Sequence, residues 1–381
     1  MDVLSDLLLA VRLTGAVFYD IEARAPFVAQ SPPTDVIAAK VAADAEHLIA
    51  FHVLTSGSCW VETVDEPDPA VLMQAGDMVI FPGGEANNLA SAPGMRGQPD
   101  LPRYSRPVDE TLPFVIDING DSDADGCRIV CGYLACDKSP FNPLLESLPR
   151  MVHAPVSARS WGWMTGLLDA AIEASDERDA GQEAMLAKLS ELMFVEALRA
   201  HIDGLPPEAR SWVAGLRDPQ IGAALRLVHG CFGEAWTLER LAREVGMSRS
   251  SFADRFTAYV GMPPMTYLAQ WRLQVAARML QKGTLSVAQV AAAVGYQSES
   301  AFNRAFKRNV GRTPGAWRRP HLPDRVPDPA GSVDPCFRWA AWRSCSRAPS
   351  CRRACARCSR SCSGAATDGS PRGRWEGWSG R

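Results

Sequence analysis

Across 381 residues, the sequence lacks any run of about 18 apolar residues, the length a membrane-crossing helix needs. Its first segment, MDVLSDLLLAVRL, lacks the basic n-region of a secretory leader. It places Asp2, Asp6 and Arg12 among leucines, a spacing that reads as an amphipathic helix. These absences predict a cytoplasmic protein with no membrane partner. Disulfide-framework spacing is missing as well. Cys59, Cys127, Cys131, Cys136 and Cys231 are scattered through the first 320 residues and read as free, semi-buried thiols, while six more crowd into 336–362.

The small net charge of -3 conceals a strong division. Residues 1–218 hold 15 Lys/Arg against 33 Asp/Glu, residues 219–320 hold 14 against 5, and residues 321–381 hold 11 against 5. A basic segment beside an acidic one is the footprint of a nucleic-acid module joined to a domain with another task.

The basic segment contains an internal repeat. Ser248, Ser250, Phe252, Phe256, Gly261 and Pro264 recur 50 residues later as Ser298, Ser300, Phe302, Phe306, Gly311 and Pro314. Upstream, Leu238, Leu241, Val245 and Gly246 recur 49 residues later as Val287, Val290, Val294 and Gly295. Each copy predicts a short helix with one apolar stripe, over 238–245 and 287–294. A glycine in the left-handed conformation then ends it, Ser248 or Ser298 caps the next helix, and two phenylalanines at i, i+4 mark that helix's buried face. Such a pair is a helix-turn-helix. The exposed face of the second helix is the reading face: Arg249, Ser250, Ala253 and Asp254 in the first unit, Glu299, Ser300, Asn303 and Arg304 in the second. Arg suits guanine, Asn suits adenine, and Glu or Asp accepts from cytosine. Lys307, Arg308 and Arg312 are placed for phosphates. Between the units, Met265–Lys282 reads as a helix of 18 residues, roughly 27 Å long. That is near the ~34 Å of a DNA turn, so one chain is expected to read two successive major grooves.

The segment WTLERLAREVGMSRSSFADRFTAYVGMPPMTYLAQWRLQVAARML, with VAAAVGYQSESAFNRAFKRNVGRTPGAWRR after it, resembles the AraC family of transcription regulators. The likeness spans roughly 219–319, and GYQSESAFNRAFKR followed by Gly311 and Pro314 is its most specific part. It implies a seven-helix DNA-binding domain that usually activates transcription through RNA polymerase. Trp317 stands where the family normally has Tyr.

The N-terminal region resembles the cupin-type sensor of one branch of that family. Gly15–Glu22, Ile49–Thr55, Ser58–Val64, Asp77–Phe81 and Arg128–Leu134 read as short strands between turns, the pattern of a β-barrel. Gly76, Pro82 and Gly84 follow the second cupin motif, with Asn87 in place of its metal-binding His and Ser91 in place of its Asn. A neutral amide is a poor ligand where imidazole is usual, and no H-x-H pair lies upstream. Neither metal nor other cofactor is therefore expected. A barrel interior still suits a small-molecule effector, with Phe51, His52, Trp60, Phe81 and Asn87 as candidate lining.

Residues 155–203 read as helical. Leu186, Leu189, Met193 and Ala197 form a stripe, with Leu192, Val195 and Leu198 widening it, so the helix packs on the barrel, on a second copy in a homodimer, or on both. Residues 92–126, with Arg96, Arg103 and Arg106, read as a surface loop. The tail is Arg-, Ser- and Cys-rich and reads as disordered, outweighing a zinc reading of its Cys351–Cys362 spacing. The expected architecture is multidomain α+β: a cupin-like β-barrel at 1–150, a helical dimerisation or linker region at 151–218, an all-α double helix-turn-helix domain at 219–320, and the tail at 321–381. The expected function is an effector-responsive, non-enzymatic DNA-binding activator. The rivals are a cupin metal enzyme carried on a DNA-targeting domain and an effector-free dimeric regulator.

Overall fold

The computed structural model describes residues 3–318 apart from 11–12, 43–44, 66–68, 105–112, 121, 138–139, 156–165, 169 and 171–180. The tail, with its cysteines, and Arg106 lie outside the described residues.

Among the described residues, ten strands build two sheets. They are β1 (Thr14–Arg24), β2 (Val28–Ser31), β3 (His47–Ser56), β4 (Ser58–Thr63), β5 (Val71–Gln74), β6 (Met78–Phe81), β7 (Asn87–Ala90), β8 (Phe114–Ile118), β9 (Gly126–Cys136) and β10 (Val152–Ala154). One sheet has the order β10-β6-β3-β9-β1-β8 and the other β2-β7-β4-β5. All pairings are antiparallel except β1 with β8. The expected barrel is thus corrected to two sheets that do not close. The five predicted strands are present as β1, β3, β4, β6 and β9. The segment read as a surface loop, 92–126, holds a 3-10 turn at Leu101–Tyr104 and the edge strand β8.

Alternation along the strands creates two cores. Ala50 and Leu54 of β3 face the second sheet, among Ile21, Val61, Leu89 and Ile129. Ile49, Phe51 and Val53 face the other way, into a core roofed by helices. The roof is α4 (Gln182–Gly204), which packs on β1, β9 and β10. Its predicted stripe of Leu186, Leu189, Met193 and Ala197 is buried, Leu198 joins it, and Leu192 is exposed. Helix α1 (Val3–Ala10) buries Val3 and Leu7. Two shorter helices, α2 (Thr34–Val41) and α3 (Pro143–Ser147), complete this half.

Downstream of the linker helix α5 (Trp212–Arg217), seven helices follow: α6 (Pro219–Gly230), α7 (Leu238–Glu244), α8 (Arg249–Val260), α9 (Pro264–Lys282), α10 (Val287–Ala293), α11 (Glu299–Val310) and α12 (Pro314–Arg318). Their boundaries follow the local chemistry the repeat predicts. The Ser248 hydroxyl accepts from Ser251 N–H and Ser298 from Ala301 N–H. Ser286 and Gln289 form a reciprocal capping box on α10. Gly246 and Gly295 adopt φ of 70° and 81° in the two turns, a region that costs other residues steric strain. The four repeat phenylalanines are fully buried. Trp317 is anchored at both ends: its Nε1 donates to the Ala277 carbonyl at 3.2 Å and its ring meets Phe306 edge-on.

No helix among the described residues is long and apolar enough to cross a membrane. Strand β1 lies so close under α4 that a Cβ on Gly15 would sit 2.5 Å from Ser190 Oγ and 2.7 Å from the Ala187 carbonyl oxygen. Gly15→Ala should therefore lower stability by about 1–3 kcal/mol, the cost of overpacking. Urea unfolding measures this, and an unchanged midpoint would mean the helix–strand approach is looser than described.

Candidate nucleic-acid interface and sensor cavity

The faces of α8 and α11 predicted to read bases are turned outward. Arg249, Ser250 and Asp254 are exposed and Ala253 is half-buried on α8; Glu299, Ser300 and Arg304 are exposed and Asn303 is half-buried on α11. Lys307, Arg308 and Arg312 are exposed near the end of the second unit. The connector α9 has 19 residues, about 28 Å of rigid rod. The two units differ in how their cations are held. On α8, Arg249 Nε lies 3.0 Å from Glu239 Oε1, and an Arg255 guanidinium nitrogen lies 2.5 Å from Asp218 Oδ2. On α11, the side chains of Arg304, Lys307 and Arg308 make no hydrogen bond or ion pair among the described residues.

In the cupin-like half, a cavity of about 450 Å³ lies between the sheets. It follows the edge where β8 ends one sheet and β2 ends the other. Its walls include Tyr19, His52, Leu89, Tyr104, Cys131 and Tyr133. Tyr19 pairs with Cys131 across β1 and β9, and Cys131 with His52 across β9 and β3. These three thus form one cross-strand row. Burial raises the Tyr104 and Tyr133 hydroxyls above the usual phenol range, so both stay protonated and able to donate.

Of the five candidates taken from the sequence, His52 lines this cavity. Asn87 is buried beside it and is occupied on both sides. Its Oδ1 is 2.9 Å from His52 Nε2, and its Nδ2 donates to the Glu85 carbonyl at 3.1 Å. Phe81 is in the same inter-sheet core, edge-on to His52 at 5.9 Å. Phe51 belongs to the opposite, helix-roofed core, and Trp60 is half-buried at the position between the inward Cys59 and Val61. The tyrosines went unread. Tyr133 and Tyr19 were reachable by strand alternation, whereas Tyr104 arrives from the proline-rich loop. The donor set at the cupin motif does not fit a metal. An amide already spent on a histidine stands at the ligand position, and no group of three or more His, Cys, Asp or Glu among the described residues is arranged to hold an ion. Cys59, Cys127, Cys131 and Cys136 are buried and Cys231 half-buried, and none of the five is in a disulfide.

Residues 2–203 match the family model described as Cupin, and residues 241–320 match the one described as Helix-turn-helix domain. A putative AraC-like transcription regulator from Streptomyces lividans is 32% identical over 284 residues, 74% of this chain and 90% of the relative. The RCS-specific HTH-type transcriptional activator RclR of Escherichia coli is 35% identical over 274 residues, 71% of this chain and 84% of the relative. A crystal structure of an AraC-type DNA-binding-domain regulator from Chromobacterium violaceum matches at 28% identity and TM-score 0.26, covering 28% of this chain and 93% of that one. Two helix-turn-helix units behind a cupin-like domain define a DNA-binding transcription regulator. The chain belongs to the AraC family of transcription regulators.

Burial of His52 has a measurable consequence. Desolvation, opposed by the Asn87 hydrogen bond, lowers its pKa from 6.5 to about 4. Its folded pKa is below its unfolded one, so the unfolded chain takes up the proton first. The stability from neutral His52 is present above pH 6.5 and lost as pH falls towards 4, about 3 kcal/mol in all. His52→Gln, which retains a donor for Asn87, should flatten the dependence of unfolding free energy on pH across that window by roughly one proton. Urea titrations at several pH values check it; an unaltered slope would place the titration elsewhere.

Proposed function

We propose that this regulator is an effector-responsive activator whose two recognition helices enter successive major grooves on one face of the DNA. The observation that carries the reading is the pair of outward-facing helices, α8 and α11, joined by the unbroken rod of α9. A connector of about 28 Å spans most of the ~34 Å between successive grooves. One chain then covers two half-sites. The cavity at the β2–β8 edge supports the effector part: it is of small-molecule size and is lined by tyrosines and apolar side chains together with polar ones such as Gln30, Gln98 and Asp100. RNA polymerase is the partner through which activation would act. Met185 and Leu192, exposed on α4, are available to a second copy of the chain.

Arg304 and Arg308 test the placement of α11. Arg304 is on the reading face between Phe302 and Phe306, and Arg308 follows one turn later. If Arg304 meets a guanine edge, Arg304→Ala should cost roughly 1–3 kcal/mol and relax the preference at one base pair. Arg308→Ala should weaken all sequences alike and flatten the salt dependence by about one unit of slope. Titrations against the cognate site, single-base variants and random duplex at several salt concentrations separate the two. Uniform losses with unchanged base preference for both would remove α11 from the groove.

A further inference from the structure

The two helix-turn-helix units are repeats in sequence but belong to different cores. Leu241, Ala242, Phe252 and Phe256 of the first unit share one continuous core with the helix-roofed face of the sensor, through Leu7, Trp212, Ile221 and Tyr267. Phe302 and Phe306 of the second unit pack with Leu273, Leu280, Val290 and Val294 in a second core whose fully buried members all lie within residues 273–306, with the partly buried Phe232 and Val275 touching both cores. The division falls inside α9, between Trp271 and Leu273.

The sensor grips α9 on the first unit's side of that division and at its border. The Phe141 ring meets Tyr267 edge-on at 5.4 Å, and Phe141 N–H donates to buried Gln274 Oε1 at 3.0 Å. Helix α1 packs on α6 and α9. The joint between the halves is Asp218, which separates α5 from α6 and caps α6 by accepting from Gln220 and Ile221 N–H. The same carboxylate holds Arg255 of the first recognition helix at 2.5 Å. Arg255 is on the flank of α8, three residues after Phe252 and partly open to solvent, where a helix seated in a groove meets backbone phosphates. A cation engaged by an internal carboxylate is not available to release DNA counterions.

We propose that the Asp218–Arg255 ion pair withholds a phosphate-binding cation of the first unit and ties it to the sensor joint, so that the first unit is the sensor-controlled half while the second, through Arg304, Lys307 and Arg308, anchors the chain on DNA. This rests on the two-groove reading above. It assigns control to one half-site, not to the DNA-binding domain as a whole.

Asp218→Asn tests it in the full chain. Asn caps a helix as well as Asp, and Arg255 is left to solvent, so folding is retained, as thermal unfolding verifies. Cleavage protection on the cognate operator first identifies the two half-sites. Binding is then titrated on the intact operator and on duplexes with either half-site scrambled, at several salt concentrations. The expected result is a several-fold gain for the intact operator and for the duplex keeping the first unit's half-site. The salt slope should steepen by about one, with binding to the second half-site alone unchanged within twofold. Asp218→Asn combined with Arg255→Gln should abolish the gain, and Phe141→Leu, which loosens the sensor's grip, should act on the first half-site only. Equal changes on both half-sites, or an unchanged salt slope, would overturn the assignment and leave the two-groove reading standing. Protection of one groove alone would overturn the two-groove reading, and this assignment with it.

Discussion

The rest of the structure depends on the burial of Tyr267. Its ring is packed by Phe141 from the sensor, Phe256 from the first helix-turn-helix unit and His229 from α6. Its hydroxyl accepts from Trp212 Nε1 at 2.8 Å and is 2.8 Å from His229 Nε2. A buried phenol without these partners would cost the desolvation of its hydroxyl, so linker, α6 and connector must be in place together. His229, stacked on Trp271 at 3.9 Å, is held neutral by burial, its pKa lowered to about 3. One side chain thus ties together Phe141, the α5–α6 stretch and the first helix-turn-helix unit, and it sits within the core they share.

The open edge of the sandwich and the spent cupin motif belong together. In a closed barrel, strand hydrogen bonds run around the whole wall. Here β8 and β2 end their sheets, and the space between them is cavity. The Asn87 position, where the enzyme cupins carry a histidine, has become internal scaffolding: Asn87 orients His52, and His52 lines the wall.

The DNA-binding half was legible in the sequence because its determinants are local. Ser248 and Ser298, the turn glycines and the paired phenylalanines each act within one or two turns of helix, and the observed boundaries follow them within a residue or two. The sensor was half legible. Long strands such as β1, β3 and β9 carry their own alternation, whereas β2 (VAQS) and β7 (NNLA) are four polar-mixed residues each, strands through their pairing: β2 with β7, and β7 with β4 as well. The cavity depended on Tyr104, brought by a turn in a loop with no periodicity. The sensor–connector contact of Phe141 with Gln274 spans 133 residues of sequence. Glutamine on a helix carries no mark of being buried against a distant backbone amide.

The strand-edge position of the cavity sets a timescale. A site sealed inside a closed barrel exchanges its occupant only when the wall opens, a motion of microseconds to seconds. A site bordered by two strand edges exchanges without breaking a ladder hydrogen bond. An effector seated beside Tyr104 would therefore enter and leave without the strands separating. Occupancy would then follow the present concentration of the molecule and keep no memory of an earlier one.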